Sequence, residues 1–128
     1  MNPPNTHAIN WFEIPTVDLD RAITFYETLL ATTITREQCS DIHMGIFPYQ
    51  PEQGVGGALI AMPEIEPSTQ GAILYLNAGH SLSTTLARLD ETIGRIVWPA
   101  TELPDNMGFF AHILDSEGNR IGLHAMNA

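Results

Sequence analysis

Cysteine is nearly missing from this chain: Cys39 stands alone, so no intramolecular disulfide can form, and packing and hydrogen bonds must hold the fold. It sits in polar surroundings between strands with no evident base beside it, so it is not read as a nucleophile. Basic residues are scarce too, with 5 Lys and Arg against 15 Asp and Glu and a formal net charge of −10. Such a field disfavours nucleic acid and anionic membrane surfaces, and favours cationic ligands if it favours any. The acidic residues are scattered and form no block, a pattern that solubility alone explains. No apolar run approaches the roughly 18 residues needed to cross a bilayer. Met1 to Thr6 lacks the basic and apolar regions of a signal peptide, so the expected compartment is the cytoplasm. Gly54-Val55-Gly56-Gly57 lacks the Lys-Ser/Thr or strand-then-helix context of a phosphate loop, which leaves its glycines to permit a turn or bulge.

With 44% hydrophobic residues, 128 residues suit one domain over 1–128, or two small halves sharing a core. The chain is organised around Ile9 to Leu30, which reads as a short apolar strand, a turn and an amphipathic helix. Asp18 can cap the helix, and Leu19, Ile23, Tyr26 and Leu30 fall at intervals of four, three and four along one face. The pattern returns 63 positions later: Ser81 is the cap, and Leu82, Leu86, Leu89 and Ile93 form the stripe. The same offset pairs Trp11-Phe12 with Leu74-Tyr75 and Met44 to Phe47 with Met107 to Phe110. It also pairs Ala58 and Ile60 with Ile121 and Leu123. An internal duplication is the better reading of so long a register.

In order, Met1 to Thr6 is an extended start shaped by Pro3 and Pro4. Ile9 to Ile14 reads as a strand, Leu19 to Leu30 as a helix, and Thr33 to Glu37, Asp41 to Phe47 and Val55 to Ala61 as strands. Met62 to Gly71, with Pro63 and Pro67, connects the halves. Ala72 to Asn77 repeats strand one, and Leu82 to Ile93 repeats the helix, with Gly94 as its left-handed end. Ile96 to Pro99 is a short strand, Ala100 to Asn106 a loop, and Met107 to Leu114 and Arg120 to Ala125 the last strands. The expectation is an α+β chain of two tandem βαβββ modules, 7–62 and 72–126. They form a curled mixed sheet around a cavity, with helices outside.

Two such modules, together with the stretches Val17 to Tyr26 and Leu114 to Leu123, resemble the vicinal oxygen chelate superfamily. That superfamily includes glyoxalase I, extradiol dioxygenases and bleomycin resistance proteins. The resemblance spans about His7 to Met126 and implies a cavity often completed by a second subunit, hence a homodimer. It also implies a divalent metal held by His, Glu or Gln at equivalent strand positions. Those positions fall on Trp11, Leu59, Leu74 (or Ala72) and Gly122, none of which can bind a metal. That departure from the family's pattern leads to the expectation of no metal and no cofactor, and the bleomycin-resistance branch, whose members bind a ligand without a catalytic metal, transfers most easily.

Strand alternation then suggests what the cavity offers. If Trp11 faces it, so does Glu13, a carboxylate in an apolar hollow that becomes a candidate recognition or acid/base group. With Gly122 facing inward, Arg120 and His124 follow, and His112 lies about opposite His124. These histidines with Glu13 could form a displaced metal site or a proton relay. Phe47 and Phe110 join Trp11 in an aromatic lining. Three readings stay open: a metal-independent protein binding a small organic ligand, aromatic or cationic, through Trp11, Glu13, Phe47, Phe110, His112 and His124; a lyase, isomerase or dioxygenase with a relocated metal or with Glu13 as base; and an accessory protein-interaction module with a vestigial cavity.

Overall fold

Asp18 adopts an extended conformation and its side chain accepts the Arg21 N–H, so helix α1, Leu19–Leu30, starts where the capping residue predicts. The helix ends where Ala31 turns left-handed. The computed structural model describes residues 7–128, and the extended start expected for 1–6 lies outside the described residues. Strand β1 is Trp11–Pro15, and after α1 come β2 (Thr35–Cys39), β3 (Ile42–Ile46) and β4 (Gly56–Ala61). They pair in the order β1-β4-β3-β2, with β1 parallel to β4 and the other pairs antiparallel. The second half repeats this with β5 (Tyr75–Asn77), α2 (Leu82–Leu89), β6 (Arg95–Glu102), β7 (Phe109–Leu114) and β8 (Arg120–Ala125), in the order β5-β8-β7-β6. The α+β fold of two βαβββ modules is therefore present, built as two separate four-stranded mixed sheets rather than one curled sheet.

One apolar core serves both halves. Ile14, Ile23, Tyr26, Leu29, Phe47 and Leu59 of the first module belong to the same buried cluster as Leu76, Leu82, Ile113 and Leu123 of the second. Each buried aliphatic side chain of this kind contributes about 1.5–3 kcal/mol. Helix α1 buries Ala22, Ile23, Phe25, Tyr26 and Leu29, a stripe shifted from the expected one, because Leu19 and Leu30 are only partly covered.

The halves are also joined by a buried polar junction. The Glu117 carboxylate, in the turn between β7 and β8, accepts the Val17 and Asp18 N–H groups at 2.8 Å each at the start of α1. It also pairs with Arg21 through Nε at 2.8 Å and Nη2 at 3.1 Å. The Tyr26 hydroxyl donates to Asp115 at 2.6 Å, and the Asn119 amide donates to the Pro15 carbonyl at 2.8 Å. The Val17 to Tyr26 and Leu114 to Leu123 stretches are thus the two sides of one contact. Burial pushes the Glu117 carboxyl upward, but the hydrogen bonds from Arg21, Asp18, Ser116 and Val17 outweigh it and bring its pKa from 4.5 to about 2.

Several sequence expectations are corrected. Helix α2 stops at Leu89, the Thr92 hydroxyl bonds the Leu89 carbonyl, and Ile93 is 72% exposed rather than part of the buried stripe. Gly94 is not left-handed; it is glycine for space, since a Cβ there would lie 2.6 Å from the Phe25 ring and 2.8 Å from the Leu114 carbonyl oxygen. Strand β6 runs through Pro99 to Glu102 because it is an edge strand, where a missing N–H is tolerated and register shifts flank Trp98. The repeat is not gap-free. Matching core-facing partners pairs Ile14 with Leu76, Leu59 with Leu123 and Gly45 with Ala111, offsets of 62, 64 and 66 instead of 63. Each differs from 63 by an odd number, so a uniform offset turns those strands' side chains to the wrong face.

Candidate functional site

Alternation leaves each sheet one face against the helices and one turned away. In the first sheet Phe12, Ile14, Phe47 and Leu59 pack toward the core, so Trp11, Glu13, Ala58 and Ile60 lie on the outer face. In the second, Leu76, Ala111, Ile113, Ile121 and Leu123 face the core, so Tyr75, Phe110, His112, Arg120, Gly122 and His124 lie on the outer face.

The outer face of the first sheet carries little of the expected chemistry. Glu13 is exposed, not a buried acid, because it lies on an edge strand. Its carboxylate accepts the Trp11 indole N–H at 3.4 Å, and Trp11 packs edge-on against Tyr49 with ring centres 5.8 Å apart. Phe47 does not share a lining with Phe110. It points to the core and packs against Phe12 and Tyr26, with ring centres 5.5 Å away in each case.

The outer face of the second sheet is built around His112, which is 7% exposed. Its Nδ1 accepts the Arg120 Nε–H at 3.0 Å, and its Nε2 lies 2.7 Å from the Tyr75 hydroxyl. Arginine can only donate, so Nδ1 is bare and the imidazole proton sits on Nε2, where it donates to the Tyr75 oxygen. Burial first, and the Arg120 charge second, hold the His112 pKa below the ordinary histidine value, which keeps the ring neutral. Around it stand Tyr75, Phe110 and Trp98, with ring centres 5.4, 5.6 and 6.4 Å from the imidazole. Tyr75 lies flat over Gly122, where an added Cβ would come within 2.4 Å of the ring, so this glycine is what lets the hydroxyl reach His112.

His112 is opposite Gly122, and His124 is opposite Phe110, because the turn pairs Leu114 with Arg120. The two histidines do not meet: His124 Nε2 bonds the Met107 carbonyl at 2.6 Å. Nor do they gather with Glu13, and among the described residues no three His, Cys, Asp or Glu side chains are placed to hold a metal ion. Leu59 and Leu74, two of the positions implied by the resemblance, pack against the core; their neighbours Ala58 and Tyr75 take the outward places beside Trp11 and Gly122. A methyl, a phenol, an indole and a glycine do not suit a divalent cation.

A cleft of about 950 Å³ opens beside this cluster, lined by Tyr75, Leu103, Met107, Phe110, His124 and Met126 among others. Tyr75 and Phe110 form the wall between the cleft and the His112 network. Sequence reasoning missed Tyr75, Trp98 and Tyr49. For Tyr75 the signal was present: alternation counted from Leu76, an apolar residue two before the small Ala78, turns Tyr75 outward.

Two βαβββ modules with parallel β1-β4 and β5-β8 pairs define the glyoxalase and bleomycin-resistance, or vicinal oxygen chelate, fold. Glyoxalase I from Zea mays superposes with a TM-score of 0.68 at 18% identity over 91% of this chain, which spans only 45% of that enzyme's chain. A glyoxalase/bleomycin resistance protein from Streptomyces sp. CB03234 gives 0.65 at 21% identity, covering 90% of this chain and 97% of its own. A glyoxylase/bleomycin resistance protein/dioxygenase domain from Frankia sp. EAN1pec gives 0.62 at 16% identity, covering 94% and 98%. In sequence, an uncharacterized protein of Pseudomonas aeruginosa is 27% identical over 126 residues, 94% of this chain and 87% of that protein. No family model matches the chain.

Proposed function

We propose that the protein binds a small organic molecule on the outer face of its second sheet, without a metal ion, and does so as a cytoplasmic homodimer. The observation that carries this is the aromatic surround of His112. Tyr75 and Trp98 are 51% and 48% exposed on the same face as a buried, neutral, fully hydrogen-bonded imidazole. Large rings left in water beside a fixed polar group are the usual make-up of a small-molecule site. The adjoining cleft gives a ligand depth, and the His112 bonds set its polar contacts before it arrives. The dimer is supported by the exposed aromatic pair Trp11 and Tyr49 on the outer face of the first sheet, and the compartment by the lone cysteine, Cys39, which leaves no intramolecular disulfide.

The test is a thermal-shift screen of metabolites and antibiotics, run before and after dialysis against a chelator, since a ligand that binds only the folded state raises its melting temperature. Selective ligands should stabilise the chelated protein equally well, and Tyr75→Ala or Trp98→Ala should remove the effect. Stabilisation that requires an added divalent metal, or that both variants retain, overturns the proposal. Sedimentation at micromolar concentration decides the dimer separately.

A further inference from the structure

The hydrogen-bond directions around His112 say more about the ligand than the aromatic rings do. Arg120 Nε–H is committed to Nδ1 and Nε2–H to the Tyr75 oxygen, so both imidazole nitrogens are used. The Tyr75 hydroxyl hydrogen then has no acceptor in the network and, on a half-exposed ring, is free to turn to the open side. Arg120 is partly exposed, and among the described residues it has no carboxylate partner; the two ion pairs there belong to Arg21 with Glu117 and Arg36 with Asp20. The Arg120 Nε–H goes to a neutral imidazole, which leaves the arginine's charge uncompensated. The cluster therefore presents two donors, one of them charged, and no free acceptor.

Resting on the binding reading above, we propose that the ligand of this face is an aromatic oxyanion: a flat ring carrying a carboxylate or an ionised hydroxyl. The ring stacks among Trp98, Tyr75 and Phe110, and its oxygen accepts from the Tyr75 hydroxyl and the Arg120 guanidinium. This reverses the polarity that net charge suggests, because the field at a site is set by its neighbours and not by the sum over the chain. A cationic ring would meet Arg120 with no acid to offset it, and Glu13, the acid once expected here, lies on the other sheet, bonded to Trp11.

Three probes of one shape and different charge test the proposal: 2-naphthoate, neutral 2-naphthamide and cationic 2-naphthylmethylammonium. Each is titrated into the full chain and read by calorimetry and by Trp98 fluorescence in a Trp11→Phe background. Naphthoate should bind about tenfold or more tightly than either analogue, the usual effect of a hydrogen-bonded charge contact. Raising the salt concentration should weaken it. Arg120→Met should abolish the preference, and Tyr75→Phe, which keeps the ring, should weaken naphthoate alone. If Arg120→Met does not fold, the ranking of the three probes and its salt dependence in the unaltered protein still decide the matter. Equal binding of all three probes overturns the oxyanion while leaving the pocket. Binding of none removes both readings. Trp98 fluorescence that follows protein dilution and ignores all three probes means a second copy covers this face, which overturns the proposal as well.

Discussion

Glu117→Gln is the substitution that probes most directly how the two modules are held together. The Glu117 side chain is fully buried, and its carboxylate takes two backbone N–H groups at the start of α1 together with the Arg21 guanidinium. A pKa that falls from 4.5 to about 2 on folding corresponds, at about 1.4 kcal/mol per pKa unit, to about 3 kcal/mol in favour of the charged folded state. Arg21 is half exposed, so water recovers part of this when the partner is lost. We therefore expect Glu117→Gln to lose about 2–3 kcal/mol at pH 7, roughly 6–10 °C in melting temperature for a chain of this size.

The pH dependence separates this cause from mere steric damage. A depressed carboxylate pKa means the stabilisation is complete above the unfolded value of 4.5 and is lost as pH falls from there toward about 2. The glutamine variant has no such contribution at any pH. Urea unfolding of both proteins at pH 7, 5, 4 and 3 should therefore give curves that differ most at neutral pH and converge below pH 4.5. A gap that stays constant from pH 7 to 3, or one under about 1 kcal/mol at pH 7, would refute the reasoning.

Other substitutions test separate parts of the structure. Tyr26→Phe removes a phenol that donates to Asp115 at 2.6 Å in a buried site; leaving that carboxylate short of a donor should cost about 1.5–3 kcal/mol, read by urea unfolding. Arg120→Met removes the positive charge beside His112, so the His112 pKa should rise toward the ordinary histidine value in an NMR pH titration of the imidazole carbons; an unchanged or lower pKa contradicts the network. Gly122→Ala displaces the Tyr75 ring from its place over the strand, because the new methyl would stand 2.4 Å from the ring; ligand stabilisation should fall while the far-ultraviolet circular dichroism stays unchanged. Leu59→Ala, fully buried in the shared core, should lose about 2–5 kcal/mol and unfold both modules in one transition.

What could be read from the chain in advance followed from local physics. Asp18 and Ser81 announced both helices because a capping side chain acts on backbone groups two or three residues away. The strands of both modules followed from short apolar runs between turn residues. What was not legible depended on partners far along the chain. Glu117 looked like one of five turn residues, yet it is held by Val17, Asp18 and Arg21 about a hundred positions earlier. The acid expected in the cavity, Glu13, was placed on the correct face, but its exposure depends on β1 being an edge strand, which is a property of the sheet and not of the segment.

The absence of Tyr75 from the expected site has a geometric cause. A repeat matched at one fixed offset assumes that every loop has equal length in both halves, whereas loops absorb insertions at little cost and strands cannot. Anchoring on the helices fixes the offset at 63, which matches Tyr75 to Phe12, a core residue, and its sheet partner Gly122 to Leu59, also a core residue. In a strand an error of one residue exchanges inside for outside, so a uniform offset gives Tyr75 the core facing of Phe12 and hides the hydroxyl that bonds His112. Anchoring each strand on its own buried residues, Ile14 with Leu76 and Leu59 with Leu123, restores the facing. It then sets Tyr75 beside Gly122 and His112, so the site follows from the sequence once the core is assigned strand by strand.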